Sequence, residues 1–153
     1  AGIKTLWLNV VDGAVETAIT LGVADLVAAK AFYARLGWVP HSATDGVAFY
    51  QMHGAVLSLF GRAALAADQG RPGAELGTGA MTLAQNFTTE AEVDAAFAKA
   101  ISAGGKALKS PEKAFWGGYS GYFADHDGHV WELAMNPFWP LATDGSLALS
   151  NAG

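Results

Sequence analysis

Two patterns of apolar residues alternate along the first half of the chain and predict its secondary structure. The apolar, β-branched run Thr17–Val23 predicts a strand. Apolar positions then recur at three- and four-residue spacing, which predicts a helix that begins after Asp25 and ends at Gly37. Short alternating runs bounded by turn residues predict three more strands, at Trp38–Ala43, Val47–Met52 and Ala55–Phe60.

The second half repeats this order. Ala80–Phe87 predicts a strand, and Thr89 with Glu92 three residues on has the capping-box spacing of a helix start. Gly104-Gly105 predicts the end of that helix. Three more strands are predicted, at Lys106–Ser110, Gly118–Ala124 and Val130–Met135. The pattern therefore predicts an α+β fold of two tandem βαβββ modules.

The predicted modules cover residues 17–61 and 79–136 of a single domain that spans 17–141. The segment 62–78 is the linker between them and is partly helical around Ala63–Ala67. Residues 1–16 are expected to form an N-terminal arm or an extra strand, because apolar positions alternate within them. Residues 142–153 are expected to be a poorly fixed tail.

Composition and net charge limit the classes of function that we expect for this protein. The chain is 52% apolar and 15% charged, which indicates a large core and favours a subunit interface. Its net charge of −5 has no basic cluster to offset it, so nucleic acid is not an expected partner. No apolar run approaches the roughly 20 residues that cross a membrane. The sequence has no cysteine and no clear secretion signal, so we expect a cytoplasmic protein without disulfides.

The two halves also align residue by residue. Gly54-Ala55-Val56-Leu57-Ser58-Leu59 matches Gly128-His129-Val130-Trp131-Glu132-Leu133 in its turn glycine and its apolar alternation. This alignment sets Ser58 opposite Glu132. Alignment of the two helix starts sets Ala18 opposite Thr82.

Several local motifs resemble one known superfamily. They are Leu21-Gly22-Val23-Ala24-Asp25-Leu26, Ala31-Phe32-Tyr33, Leu36-Gly37-Trp38 and Asp125-His126-Asp127-Gly128-His129-Val130-Trp131-Glu132-Leu133. Together they resemble the vicinal oxygen chelate superfamily, which includes glyoxalase I, the bleomycin-resistance proteins and the extradiol dioxygenases. The resemblance covers about 17–141. It implies paired βαβββ modules whose curved mixed sheets form a cup, usually in a dimer, with a divalent metal held by the first and last strands of each module.

The positions that match the superfamily's metal ligands are Ala18, Ser58, Thr82 and Glu132. Alanine offers no donor, and neutral hydroxyls are weak ligands compared with imidazole or carboxylate. The chain therefore departs from the metal-dependent pattern at three of the four positions. We expect no cofactor, and a divalent metal is disfavoured, with Glu132 the one ligand position retained.

The run Asp125–His129 brings four potential metal ligands together but is also typical of a tight turn between two strands. Aspartates in such turns bond local amides, and glycine takes the positive φ angle. We therefore interpret this run as a turn. Alternation along the last strand then places Glu132 in the cup and His129 on the opposite side.

Aromatic residues around glycines predict a hydrophobic ligand site, although each ring is equally compatible with ordinary sheet packing. A lone carboxylate in an apolar cup is a candidate general base or an anchor for a cation. The predicted ligand-binding residues are Phe49, Ser58, Phe60, Thr82, Trp116, Tyr119, Tyr122 and Glu132.

Two functions fit these features. The first is a homodimer that binds a small aromatic or cationic molecule in a metal-free cup, like the bleomycin-resistance branch. The alternative is an enzyme of the lyase, isomerase or dioxygenase class. In that enzyme Glu132 would act as the general base or as a ligand of a divalent metal.

Overall fold

A computed structural model describes residues 18–147 and 149 of the chain, and it confirms two successive βαβββ modules. The predicted N-terminal arm, 1–16, lies outside the described residues. So do residues 148 and 150–153 of the predicted tail. The elements are β1 (Ala18–Val23), α1 (Leu26–Arg35), β2 (Ser42–Ala43), β3 (Val47–Gln51), β4 (Val56–Gly61), α2 (Arg62–Asp68), β5 (Thr82–Asn86), α3 (Glu90–Ser102), β6 (Lys106–Lys113), β7 (Tyr119–Ala124) and β8 (Val130–Met135).

Each module forms one four-stranded mixed sheet. The first sheet has the order β1-β4-β3-β2 and the second has the order β5-β8-β7-β6. In both, the first strand pairs parallel to the last strand of its module, and the remaining pairs are antiparallel. The predicted α+β class and duplicated architecture are therefore confirmed.

Local sequence signals set the helix ends as predicted. The Asp25 carboxylate accepts a hydrogen bond of 3.0 Å from the Ala28 amide at the start of α1. At the start of α3, Thr89 and Glu92 form a reciprocal capping box. Gly37 follows α1 with φ +89°, a left-handed conformation that favours glycine after a helix.

Two predicted strands have an end that differs by three or more residues from the observed one. The strand predicted at 38–43 shortens to Ser42–Ala43, because the Trp38 amide donates to the Tyr33 carbonyl and the Trp38 ring stacks on Tyr33. β6 instead runs on to Lys113, through Pro111. An edge strand with register shifts tolerates a proline, and β6 has two such shifts.

One face of each sheet packs into a common core. The first sheet contributes Leu21, Leu57 and Leu59, and the second contributes Trp131 and Leu133; each is at most 3% exposed. We call these the core faces and the opposite surfaces the open faces.

Aromatic rings join the two core faces. The Trp38 ring centre lies 6.3 Å from that of Tyr50 in the first sheet and 5.3 Å from that of Trp131 in the second. The two core faces therefore share one core, to which α1 contributes Phe32 and Tyr33 and α3 contributes Val93 and Ala100. Each open face lies on the side of its sheet that faces away from this core.

The Asp125–His129 turn fastens the second module to the first. The Asp125 carboxylate accepts a 2.6 Å hydrogen bond from the Tyr33 hydroxyl and 2.9 Å bonds from the amides of Asp127 and His129. Tyr33 in turn accepts a bond from the Trp131 indole. Burial and the charge of Asp125 raise the pKa of Tyr33 far above its ordinary value of 10.0, so its hydroxyl remains a donor.

The other polar groups of the turn are also engaged. The Asp127 carboxylate accepts from the Ala24 amide at 2.8 Å, and His129 Nε2 lies 2.8 Å from the Gly22 carbonyl. Gly128 has φ +90°, as expected in a tight turn. Asp125, Asp127 and His129 thus hold the two modules together. Among the described residues, no helix is long and apolar enough to span a membrane.

We predict that Asp125→Ala lowers the free energy of unfolding by about 2–3 kcal/mol, because buried donors lose their acceptor. Guanidinium chloride titration followed by tryptophan fluorescence measures the change. Asp94→Ala is the matched control, since Asp94 accepts a 2.7 Å bond from the Tyr119 hydroxyl at an exposed site. The control should lose much less stability. Equal losses in the two variants would contradict the role assigned to Asp125.

Candidate functional site

The open face of the second sheet carries the acidic residue predicted from sequence. Strand register places Glu132 of β8 beside Ala84 of β5 and opposite Tyr122 of β7. Paired residues on neighbouring strands project from the same face of a sheet. Glu132 is half-buried and Ala84 is exposed, so the carboxylate lies on a surface that a ligand can reach.

Tyr122 and Glu132 are paired across β7 and β8. Burial raises the pKa of the Tyr122 phenol, and a hydrogen bond to the Glu132 carboxylate and the charge of that carboxylate raise it further. The phenol therefore stays protonated near neutral pH and donates towards Glu132. A protonated phenol beside the carboxylate can serve as a donor to it, and a carboxylate has further acceptor capacity for a ligand.

The equivalent position of the first sheet carries hydroxyl groups. Ser58 of β4 pairs with Thr20 of β1, and their hydroxyl oxygens lie 2.5 Å apart. Ser58 is only 3% exposed and Phe49 of β3 lies opposite it on the same face. Thr20 was not among the predicted site residues, because the alignment of helix starts pointed to Ala18, two residues earlier on the same face of β1.

The residues at the superfamily's metal positions do not fit a divalent ion. In the first module, the Thr20 and Ser58 hydroxyls satisfy each other, and Ala18 has no donor. In the second, the residue beside Glu132 on β5 is Ala84, which has no donor, and Thr82 lies two residues away beside Val130. Within residues 18–147 and 149, no group of three or more His, Asp and Glu side chains is arranged to hold a metal. A single carboxylate is a weak site for Zn²⁺ or a similar ion.

Aromatic side chains border the open faces. The Trp116 ring lies over Gly118, where an added Cβ would come within 1.8 Å of the ring, so glycine is required there. Gly118 precedes Ser120 and Tyr122 in the alternation of β7, which puts Trp116 on the open side of the second sheet. Phe49 and Phe60 lie on the open face of the first sheet through their pairing in β3 and β4.

Two findings depart from the sequence-based site. Tyr119 points to the core face, where its hydroxyl donates to Asp94 of α3 at 2.7 Å, so it is separated from the other predicted ligand residues. Lys109 of β6 is paired with Tyr122 and therefore lies on the open face beside it. Sequence reasoning missed Lys109 because the bulges of β6 break the alternation that would have assigned its face.

The predicted site residues thus divide between two surfaces of one chain. Phe49, Ser58 and Phe60 belong to the open face of the first sheet, and Thr82, Trp116, Tyr122 and Glu132 belong to that of the second. Each set lies on the side of its own sheet that faces away from the shared core.

Solved structures share this architecture. A structure described as a glyoxalase-related enzyme from Fulvimarina pelagi is 39% identical, with a TM-score of 0.82 over 88% of this chain and 96% of that chain. A glyoxalase/bleomycin resistance protein/dioxygenase family enzyme from Burkholderia phytofirmans PsJN is 19% identical, with a TM-score of 0.68 over 78% and 96%. A lactoylglutathione lyase from Agrobacterium tumefaciens is 21% identical, with a TM-score of 0.64 over 84% and 98%.

A comparison with curated proteins finds no match. The family model of the Glyoxalase/Bleomycin resistance protein/Dioxygenase superfamily matches residues 17–133, which is most of the chain and includes both modules. With two βαβββ modules and this match, the chain belongs to the Glyoxalase/Bleomycin resistance protein/Dioxygenase superfamily.

Proposed function

We propose that this protein is a homodimer that binds a small aromatic or cationic molecule without a metal. The observation that carries the proposal is the Tyr122–Glu132 pair on an accessible sheet face, where the rest of the superfamily's metal positions hold Ala18, Ser58 and Thr82. A carboxylate that is oriented by a phenol and bordered by rings provides one ionic anchor and flat apolar contacts.

The ligand class follows from the charge and shape of this surface. Glu132 supplies a negative charge and hydrogen-bond acceptors, which favour an amine or another cationic group. Trp116 supplies a flat ring that is partly exposed. A cation close to such a ring gains additional stabilisation. An aromatic amine therefore matches the site better than a neutral or anionic molecule.

The proposal of a dimer is supported by the division of the predicted site residues between two surfaces of the chain. A two-fold axis that brings the first sheet of one copy against the second sheet of another would build two identical cups. Each cup would combine the Thr20–Ser58 pair and Phe49 of one copy with the Tyr122–Glu132 pair of the other. It would still contain a single carboxylate at the superfamily's ligand positions. Cytoplasmic residence remains an expectation from the acidic, cysteine-free sequence.

An enzyme is the second candidate, favoured by the same Tyr122–Glu132 contact. A carboxylate beside a protonated phenol pairs a proton acceptor with a donor, as general acid–base catalysis requires. A relative at 39% identity is described as a glyoxalase-related enzyme. If Glu132 is a general base, Glu132→Gln should abolish turnover of the substrate while leaving its affinity nearly unchanged. If Glu132 is only an anchor, affinity falls instead.

We predict that 4-(aminomethyl)biphenyl binds the wild-type protein and that Glu132→Gln weakens this binding at least tenfold, since an ionic hydrogen bond is lost. Isothermal titration calorimetry measures both affinities. The neutral 4-(hydroxymethyl)biphenyl should bind both proteins alike. Asp94→Asn is the matched control, because Asp94 also accepts from a tyrosine but on the core-face side. Equal binding of the amine to wild type and Glu132→Gln would refute the anchor.

We predict that Phe49→Glu converts the dimer to a monomer, because Phe49 is 39% exposed on the open face that a second copy would cover. Burial of an unpaired charge there would oppose association. Sedimentation equilibrium measures the mass. Val27→Glu on α1, at an exposed position outside the open faces, should leave the mass unchanged. If the wild-type protein is monomeric at high micromolar concentration, the proposal of a cup formed by two chains is refuted.

We predict that Zn²⁺, Ni²⁺ and Mn²⁺ leave the melting temperature of the purified protein unchanged, because a specific ligand of the folded state would raise it. Differential scanning fluorimetry with and without a chelator measures the shift. Elemental analysis of protein purified without chelator provides the second check. Near-stoichiometric metal that disappears in Glu132→Gln would establish the metal-dependent alternative.

A further inference from the structure

The strand register extends the Glu132 site towards the edge of the second sheet. Tyr122 is paired with Glu132 on one side and with Lys109 of β6 on the other. Ala84, Glu132, Tyr122 and Lys109 therefore form one row across the open face. The row carries an acid near the middle of the sheet and a base at its edge, with an aromatic ring between them.

Lys109 forms an ion pair in which a ligand can replace its partner. Its ammonium lies 3.0 Å from a carboxylate oxygen of Glu112, three residues further along β6. The two side chains are 45% and 62% exposed. Exposed ion pairs of this kind contribute little to stability, because water and salt screen them. An incoming anion can therefore take the place of Glu112 at small cost.

The distance between the two charges selects a class of ligand. Neighbouring strands are about 4.8 Å apart, so the backbones that carry Glu132 and Lys109 are about 10 Å apart. A rigid aromatic molecule with an amine at one end and a carboxylate at the other would match both charges in the correct order. A purely cationic molecule would engage only one of them.

We propose that Lys109 is a specificity-determining residue that makes this site selective for zwitterionic aromatic compounds. This inference rests on the proposed function, because it assigns the second anchor of the cup in which Glu132 is the first. The amine of the ligand pairs with Glu132, and its carboxylate displaces Glu112 from Lys109. The ring system lies over Tyr122.

Three probes with the same biphenyl frame test the proposal: 4′-(aminomethyl)biphenyl-4-carboxylate, the amine without the carboxylate, and biphenyl-4-carboxylate without the amine. Calorimetry on the intact protein should give the zwitterion about tenfold tighter binding than the amine alone, as one added charged hydrogen bond allows. Lys109→Gln should remove this advantage and leave the affinity for the amine unchanged.

Lys113→Gln is the matched control. Lys113 lies on the same strand and also forms an exposed ion pair, with Glu90 at 3.2 Å, but it is paired with Tyr119 on the core-face side. This variant should keep the preference for the zwitterion. Circular dichroism melts of all variants confirm that each one is folded.

The outcomes separate the two proposals. If the amine binds through Glu132 but the zwitterion binds no more tightly, the role of Lys109 is refuted and the cation site stands. The same holds if Lys109→Gln and Lys113→Gln reduce the preference equally. If Glu132→Gln leaves the affinity for the amine unchanged, or none of the three probes binds, both proposals fail.

Discussion

The sharing of one core by the apolar faces of both sheets is the constraint on which the rest of the structure depends. Trp38 contacts Tyr50 of one sheet and Trp131 of the other, so the apolar sides of both sheets are used within the chain. Only the opposite sides remain for a ligand or another subunit. A chain built in this way presents two half-sites, and the chemistry of each is decided by a few side chains at the centre of its sheet.

Those central side chains have diverged between the two modules. In the first, Thr20 and Ser58 bond to each other, so their polar groups need no ion. In the second, Glu132 lies beside the Tyr122 phenol and has acceptor capacity for a ligand. The duplicated fold thus keeps a polar residue at the same place on the last strand of each sheet, Ser58 in one and Glu132 in the other. Their polar neighbours lie on different strands, Thr20 on β1 and Tyr122 on β7.

Much of the fold could be predicted from sequence, because local signals and global packing agree. Asp25, Gly37 and the Thr89–Glu92 pair determine their helix ends through contacts within a few residues. Alternation correctly separated Glu132 from His129, since β8 is regular. It failed where the backbone is irregular or the partner is distant in sequence. The bulges of β6 hid Lys109, and the Tyr119–Asp94 contact joins residues 25 positions apart.

The Asp125–His129 turn has no true counterpart in the first module. Met52 is the residue of the first module that corresponds to Asp125. The Met52 amide donates to the Ala55 carbonyl across its turn, as the Asp125 amide donates to the His129 carbonyl. A thioether cannot replace a carboxylate that accepts three hydrogen bonds. The two halves can therefore no longer replace each other. A chimera made of two first halves would lack the buried carboxylate of Asp125. Divergence after duplication has made each half dependent on the particular sequence of the other.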